Sequence, residues 1–216
     1  MAKNNSEFLD ELKTKIIPEI YAAALEYKNK MVGKTFLYTF DNRFIEVTFK
    51  TDNFKHLSGI ASTLTPNEFY NEAISRTFEK EQINFTSRHP YDLAKKKLKH
   101  LKNIYTMSSS ECFIQEDITT NTATYKFGTT NLNFSLLLTE DIDSFGILRS
   151  EKYITKSLRD KDSFDKSRVV HEVTHIFVKS NNVKKYSLLT YSSDNKLPKE
   201  LEYKIDDSIK NQFIFE

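Results

Sequence analysis

The alternation of apolar and polar residues over the second half of the chain is what most constrains its fold. From residue 111 onward, apolar side chains recur at every second position in several short runs. These runs are ECFIQED, TATYKFG, LNFSLLLT, RVVHEVTHIFVKS and KKYSLLTYSS. A period of two is typical of β-strands, whose successive side chains point to opposite faces of a sheet. The pattern therefore predicts a sheet of short strands, which we expect to be mostly antiparallel.

The first half of the chain carries the signals of helices instead. Residues 6–31 place apolar side chains along one stripe of a helix, and Pro18 is expected to kink or divide that helix. The segment Thr65-Pro66-Asn67-Glu68 is a capping box with proline at the first helical position. A further helix is expected to begin near Pro90. The sequence therefore predicts several helices ahead of the sheet.

The two patterns together predict an α+β fold, in which early helices pack on a twisted, mostly antiparallel sheet. Residues 34–51 add a β-hairpin that turns at Asp41-Asn42. We divide the chain into an N-terminal helical extension, residues 1–33, packed on the main domain, and a single α+β domain, residues 34–216.

Composition narrows the functional classes. The 32 basic and 30 acidic residues leave a net charge of +2, so local clusters rather than overall charge must indicate a polyanionic partner. Cys112 is the only cysteine, which excludes an intramolecular disulfide and a cysteine-based zinc site and fits a reducing compartment. No apolar run approaches a membrane span, and the N-terminus lacks an apolar signal region. We therefore expect a cytoplasmic protein that does not associate with a membrane.

Residues 171–175 spell HEVTH, the H-E-x-x-H pattern in which a helix presents two imidazoles to zinc and a glutamate to water. On this interpretation the chain is a zinc metallopeptidase. His171 and His175 would hold the metal, and Glu202 would supply a third ligand from a second helix.

The same segment also has the character of a strand. Six of the ten residues 169–178 are β-branched, which disfavours a helix and favours a pleated surface. Such a strand is expected to be central and largely covered, so a buried Glu172 would need a partner for its carboxylate. The residues of this segment alone leave both interpretations open.

Several segments that follow one another along the chain resemble a known family. They are NFKHLSGI at 53–60 with Phe69-Tyr70 after it, YITKSL at 153–158, HIFVKS at 175–180 and KKYSLLTY at 184–191. The series, which lies between residues 35 and 191, resembles the phage-associated barnase–EndoU–colicin–RelE-like nucleases, in the fourth of their phage-associated groups. Thr155 departs from the pattern, which leads us to expect proline there. The resemblance implies a barnase/EndoU/RelE-like fold, with HEVTHIF as a sheet strand and the zinc pattern accidental.

The resemblance also implies a function, the cleavage of RNA without a metal or other cofactor, in the cytoplasm of a bacterial host cell. A general base would take the proton of the ribose 2′-OH, and a general acid would protonate the leaving 5′-oxygen. A cation or hydroxyl would stabilise the charged phosphorane. The implied partners are RNA and a host or immunity protein; the oligomeric state is not indicated.

Three residues are candidates for catalysis. His56 is the first, because it lies close to Gly59 and ahead of a capped helix, and because histidine titrates near neutral pH. Ser157 could donate a hydrogen bond to a phosphate oxygen, and Lys179 could hold a phosphate as a point charge. Ordinary roles in packing, capping or solvation compete with each of these hypotheses.

Two residues are candidates for substrate binding. Five lysines lie in the eight positions 95–102, and such a run can follow a phosphate backbone, although it is usually a solvated helix face. Lys97 is the most inward-facing of the five, by its spacing from Leu93 and Leu101. Tyr186 could stack on a base, although packing in the core is the commoner role of a tyrosine.

These observations support hypotheses of three classes. The first is a phage or mobile-element nuclease that cleaves RNA by acid–base catalysis. The alternative is a catalytically inactive protein of the nuclease fold that binds or inhibits a host protein, because a fold does not determine a function. The second alternative is the zinc metallopeptidase.

Overall fold

The computed structural model of the chain describes residues 5–121 and 123–216. The α-helices are α1 (Asn5–Lys30), α2 (Asn53–Ser58), α3 (Pro66–Ser75), α4 (Tyr91–Lys102) and α5 (Asp207–Lys210). The first strands are β1 (Lys34–Phe40), β2 (Arg43–Thr48), β3 (Ala61–Ser62), β4 (Ile83–Asn84), β5 (Phe113–Thr119), β6 (Thr124–Thr130) and β7 (Ser135–Ile142). The later strands are β8 (Leu148–Arg159), β9 (Val169–Glu172), β10 (His175–Ser180), β11 (Leu188–Ser192), β12 (Lys196–Leu197) and β13 (Ile214–Phe215). Short 3₁₀ turns occupy Lys80–Gln82, Ile104–Ser108, Phe164–Lys166 and Lys199–Leu201.

The fold is α+β, as the sequence predicts, but the sheet is mixed rather than mostly antiparallel. Over the described residues, nine strands form one sheet in the order β11-β10-β1-β2-β8-β7-β6-β5-β9. In its middle, β2 and β8 pair in parallel, with Val47 opposite Tyr153. Parallel neighbours need a long crossover, which the chain supplies between Thr48 and Leu148. The helices are also not all early, because α5 follows the sheet.

Two local signals of the sequence, a turn and a helix cap, are found where they were expected. The β1–β2 hairpin turns at Asp41 and Asn42, whose φ angles of 47° and 54° fit a two-residue turn. Thr65 caps α3 and forms the expected capping box with Glu68. Pro18 lies inside α1 but does not divide it.

The chain forms two compact units. A helical unit comprises the residues up to Lys30 together with Lys50–Ile104, and a sheet unit comprises Met31–Phe49 and Tyr105–Glu216. The domain boundary that we placed at residue 33 stays a prediction. None of the described helices combines the length and the hydrophobicity that crossing a membrane requires.

An aromatic core holds the helical unit together. The rings of Tyr27 on α1 and Phe54 on α2 lie 5.4 Å apart, and those of Phe69 and Phe78 lie 4.9 Å apart. The Tyr27 hydroxyl donates a hydrogen bond of 2.9 Å to the carbonyl of Lys50, just ahead of α2. Because the side chain of Phe54 on α2 is fully buried in this core, the short helix α2 is fixed in place.

The sheet unit has a second core, built around Tyr186. It consists of the buried side chains Leu37, Phe177, Tyr186, Leu197, Leu201 and Ile205. The Tyr186 hydroxyl donates to the Glu46 carboxylate at 2.5 Å, and Lys204 donates to the same carboxylate at 3.0 Å. Burial alone would raise the pKa of Glu46, but the hydrogen bonds from Tyr186 and Lys204 outweigh burial and hold that pKa below its ordinary value.

The HEVTH segment is not a helix, so the peptidase interpretation fails. It spans the end of β9 and the start of β10, with a break at Val173 and Thr174. The amide of Val173 donates to the carbonyl of Cys112, and the amide of Thr174 donates to that of Thr39. The segment thus pairs with β5 through β9 and, two residues later, with β1 through β10. The sheet must therefore curl, because strands that are far apart in the strand order are joined by so short a connection.

The two histidines of this segment therefore have separate surroundings. His171 faces the Glu116 carboxylate at 3.0 Å, whereas His175 is fully buried and lies 2.9 Å from the carbonyl of Asp194. The expected third ligand, Glu202, forms an ion pair with Lys210. Within the described part of the chain, no cluster of three His, Cys, Asp or Glu side chains could hold a metal ion.

The expectation of a buried Glu172 is also wrong. Glu172 is exposed, because β9 lies at an edge of the sheet, and only the β10 part of the segment is covered on both sides. A carboxylate at the exposed edge stays hydrated and needs no partner.

We expect Tyr186→Phe to lower the free energy of unfolding by about 1–3 kcal/mol, because the variant leaves the half-buried carboxylate of Glu46 with one donor fewer. Urea denaturation would measure the loss. Tyr203→Phe is the matched control, because Tyr203 is 69% exposed and its hydroxyl should contribute little. Equal losses in the two variants would contradict this account of the core.

A second prediction concerns His175. Burial lowers the pKa of His175 from its ordinary value of 6.5, with the carbonyl and carboxylate of Asp194 acting against the shift. The unfolded chain therefore binds more protons than the folded chain just below pH 6.5, so stability should be lost as the pH falls through that value. His175→Gln should flatten this dependence in urea unfolding measured above and below pH 6.5. An unchanged slope would show that another group causes it.

Candidate active site

Gly59 ends helix α2 in a backbone conformation that favours glycine. Its φ and ψ are 70° and 14°, and its amide donates to the carbonyl of His56 at 3.3 Å. A Cβ atom placed on Gly59 would lie 2.7 Å from the Cδ atom of Lys97 on α4. The missing side chain therefore lets a half-buried lysine lie directly against the end of α2.

His89 is held against the same glycine. Its Nδ1 atom lies 3.1 Å from the carbonyl oxygen of Gly59. A carbonyl can only accept, so Nδ1 carries the hydrogen, and Nε2 is the ring atom left to exchange a proton. The backbone of His89 is fixed by a tight turn, in which its amide donates to the Thr86 carbonyl at 3.0 Å.

The two histidines line one cleft of about 360 Å³ in the helical unit. Its other lining residues are Asp52, Lys55, Ile60, Ala61, Ser62 and Pro66. His56 is exposed in the last turn of α2, and His89 is half-buried. A cleft with two imidazoles has the groups that general acid–base catalysis at neutral pH requires.

Lys55 fixes one wall of this cleft. Its Nζ atom donates to the carbonyl of Ser62 at 3.0 Å and also to the carbonyl of Leu64. Desolvation lowers the pKa of Lys55, an effect that the charge of Glu68 opposes. The side chain thus holds the backbone around β3, and its charge contributes a positive potential at the cleft.

The residues selected from the sequence divide between the two units. His56 and Lys97 both lie beside Gly59 in the helical unit, whereas Ser157, Lys179 and Tyr186 belong to the sheet unit. Their roles in catalysis and binding remain predictions.

Lys179 and Tyr186 contact each other. The Nζ atom of Lys179 lies 4.5 Å from the centre of the Tyr186 ring and donates to the carbonyl of Lys184 at 2.7 Å. Burial lowers the pKa of Lys179. The pKa of Tyr186 is raised by burial and, in addition, by the negative charge of Glu46. Tyr186 is fully buried, which leaves no ring face for a base in this arrangement.

Ser157 is separate from this pair. It lies on β8 and is 6% exposed, and β1 and β2 stand between β8 and β10 in the sheet. Ser157 and Lys179 thus lie on strands three spacings apart, each spacing about 4.8 Å, and not on neighbouring strands.

His89 is the second imidazole of the cleft, and the sequence analysis did not select it as a candidate. Thirty positions separate it from Gly59, and its only local signal is a place directly ahead of Pro90 and the start of α4. Such a position is also common for a histidine without a function, so the signal is weak.

The chain is an α+β protein whose helical unit carries a cleft with two imidazoles. The family described as phage-Barnase-EndoU-ColicinE5/D-RelE like nuclease4 matches residues 19–195, and the chain belongs to that family. The resemblance seen in the sequence is thereby confirmed. The matched residues include His56, His89 and Lys97. No curated protein and no solved structure matches the chain.

We expect Gly59→Ala to destabilise the protein in two ways. A Cβ in the left-handed region costs roughly 1–2 kcal/mol, and the new methyl group would also displace Lys97. Gly146→Ala is the matched control, because Gly146 has a φ of 81° and nothing within 4 Å of its Cβ position. Gly59→Ala should therefore lose more stability in urea unfolding than Gly146→Ala.

A double variant separates the two causes. In Gly59→Ala/Lys97→Ala the contact with the lysine is relieved, so the loss should be smaller than the sum of the two single losses. Strict additivity would show that Lys97 does not press on the Gly59 position.

Proposed function

We propose that the chain is a metal-independent endoribonuclease whose catalytic centre is the cleft beside Gly59. The observation that supports this most strongly is the presence of two imidazoles, His56 and His89, in one cleft, with Lys97 against the glycine between them. Membership of a phage-associated nuclease-like family supports the same class of reaction.

In the proposed reaction His56 is the general base and takes the proton of a ribose 2′-hydroxyl. The 2′-oxygen then forms a bond to the adjacent phosphorus, and the bond from phosphorus to the 5′-oxygen breaks. His89 gives its Nε2 proton to the departing 5′-oxygen. The products are a 2′,3′-cyclic phosphate and a free 5′-hydroxyl, and Lys97 is the cation that stabilises the non-bridging oxygens.

The assignment of His89 as the acid follows from its orientation. The carbonyl of Gly59 accepts the Nδ1 hydrogen in both protonation states of the ring, so the transferred proton always resides on Nε2. A leaving group must be protonated along a defined direction, which a ring of fixed orientation favours.

The alternative proposal is a catalytically inactive binding module. It is supported by the contacts of two candidate residues in the sheet unit. Lys179 contacts the ring of Tyr186 and donates to the carbonyl of Lys184, and Tyr186 donates to Glu46, so both side chains already have partners within the protein. On this proposal the partner is a host or immunity protein in the cytoplasm of a bacterial cell, and RNA is not cleaved.

We expect the purified protein to cleave single-stranded RNA in the presence of EDTA. Replacing one member of the acid–base pair, in His56→Ala or His89→Ala, should lower the rate by about 100- to 10,000-fold. His100→Gln, on α4 but outside the cleft lining, is the control that should retain activity. A folded protein that cleaves no RNA, and that captures one protein partner in stoichiometric amount, would favour the binding module.

The same variants identify the general acid. A uridine 3′-(4-nitrophenyl phosphate) substrate has a leaving group that departs without protonation, so His89→Ala should regain most of the wild-type rate on it. His56→Ala should remain slow on both substrates, because the 2′-hydroxyl still needs a base. The opposite pattern would reverse the two assignments.

A further inference from the structure

We propose that a groove between α1 and α4 binds the phosphate backbone of single-stranded RNA outside the cleft. This proposal rests on the proposed function, because it gives the nuclease a binding surface for the flanking part of its substrate. The groove belongs to the helical unit and has a volume of about 900 Å³.

Lysines dominate the walls of this groove. They are Lys15 on α1 and Lys95, Lys96, Lys99 and Lys102 on α4. The acidic lining residues are Glu19 and Asp92, so five positive charges against two negative ones leave +3 in the groove. The whole chain carries only +2, so all its other residues together carry −1. The lining of the groove is thus more positive than the rest of the chain taken together, as expected for a site that attracts a polyanion.

The internal ion pairs do not neutralise this surface. Lys15 pairs with Glu11 and Lys102 pairs with Glu19, whereas in the described part of the chain neither Lys95 nor Lys99 has an acidic partner. Lys95 and Lys99 are exposed and one helical turn apart, a spacing at which like charges destabilise a helix. An external anion would offset that repulsion.

The dimensions and the chemistry fit a nucleic-acid strand. Lys95 and Lys102 are separated by about 10 Å along the helix axis, which is roughly three nucleotides at the 3.4 Å rise of a stacked strand. Tyr91 lines the groove and is held edge-on by Phe85, with ring centres 5.4 Å apart. Tyr91 therefore offers a fixed aromatic surface on which a base can stack, which an acidic peptide would not need.

Helix α4 connects the groove to the cleft. The helix begins two residues after His89, and its half-buried Lys97 lies against Gly59 while the other lysines face the groove. A strand cleaved beside His89 could thus continue along the same helix. The two sides of α4 would then bind different parts of one RNA strand. Lys97 would bind the reacting phosphate, and the lysines that line the groove would bind flanking phosphates.

The test compares two triple variants with the same change in charge. Lys95→Gln/Lys96→Gln/Lys99→Gln removes the outer lysines of α4, and Lys161→Gln/Lys166→Gln/Lys199→Gln removes exposed lysines of the sheet unit. Binding is measured by fluorescence anisotropy with a labelled 2′-O-methyl RNA, which cannot react. The groove variant should lower the slope of log Kd against log salt by about 2, because each lost phosphate contact removes about 0.7.

The cleavage assay gives a second readout. On a long RNA the groove variant should raise KM about 10-fold or more with kcat retained, because flanking contacts bind substrate and transition state alike. On a dinucleotide, which is too short to reach the groove, both parameters should match the wild type. Thermal melting should show that the groove variant remains folded, since it removes like-charge repulsion.

The outcomes distinguish this proposal from the proposed function. If the protein cleaves no RNA but the groove variant still lowers the salt slope, the binding surface stands and the nuclease activity fails. If cleavage proceeds and the two triple variants behave alike, the groove proposal is overturned. Equal binding of poly-glutamate and RNA by the wild type would overturn the assignment of RNA as the ligand.

Discussion

The left-handed backbone of Gly59 is the constraint on which the candidate cleft depends. Three groups meet at this residue, because its amide binds the carbonyl of His56, its carbonyl accepts from His89, and its missing side chain admits Lys97. Any larger residue would disturb all three at once, through the strained φ and through the contact with Lys97. One conformational requirement thus brings together residues that are up to 41 positions apart in the chain.

The aromatic core of the helical unit makes this arrangement rigid. Helix α2 has only six residues, which is too short to be stable alone, yet Phe54 and Leu57 are fully buried beneath it. His56 lies on the exposed side of the same helix. The buried side chains therefore fix the position of an exposed imidazole, and an imidazole that is already in position needs little reorganisation for a reaction.

The sequence predicts features that depend on neighbouring residues and misses those that depend on distant ones. The Thr65 cap and the Asp41-Asn42 turn are encoded within four residues, and both were found as expected. The parallel β2–β8 pair depends on a crossover of many residues, which no local pattern records. The break between β9 and β10 depends on hydrogen bonds from Val173 and Thr174 to the distant carbonyls of Cys112 and Thr39, which no local pattern records either. The contact of His89 with Gly59 was missed for the same reason, because nothing near either residue indicates the other.

The division of polar groups between the two units bears on where the proposed reaction would take place. In the sheet unit the hydrogen bonds of Tyr186 and Lys179 are made within the protein, and breaking them to bind a substrate would leave Glu46 or a carbonyl without its donor. In the cleft, by contrast, the Nε2 atom of His89 is left over once Nδ1 has bonded to Gly59. A substrate can therefore be bound there without loss of an internal hydrogen bond to that ring. This difference in the free-energy cost of binding favours the cleft of the helical unit over the sheet unit as the place of the proposed reaction.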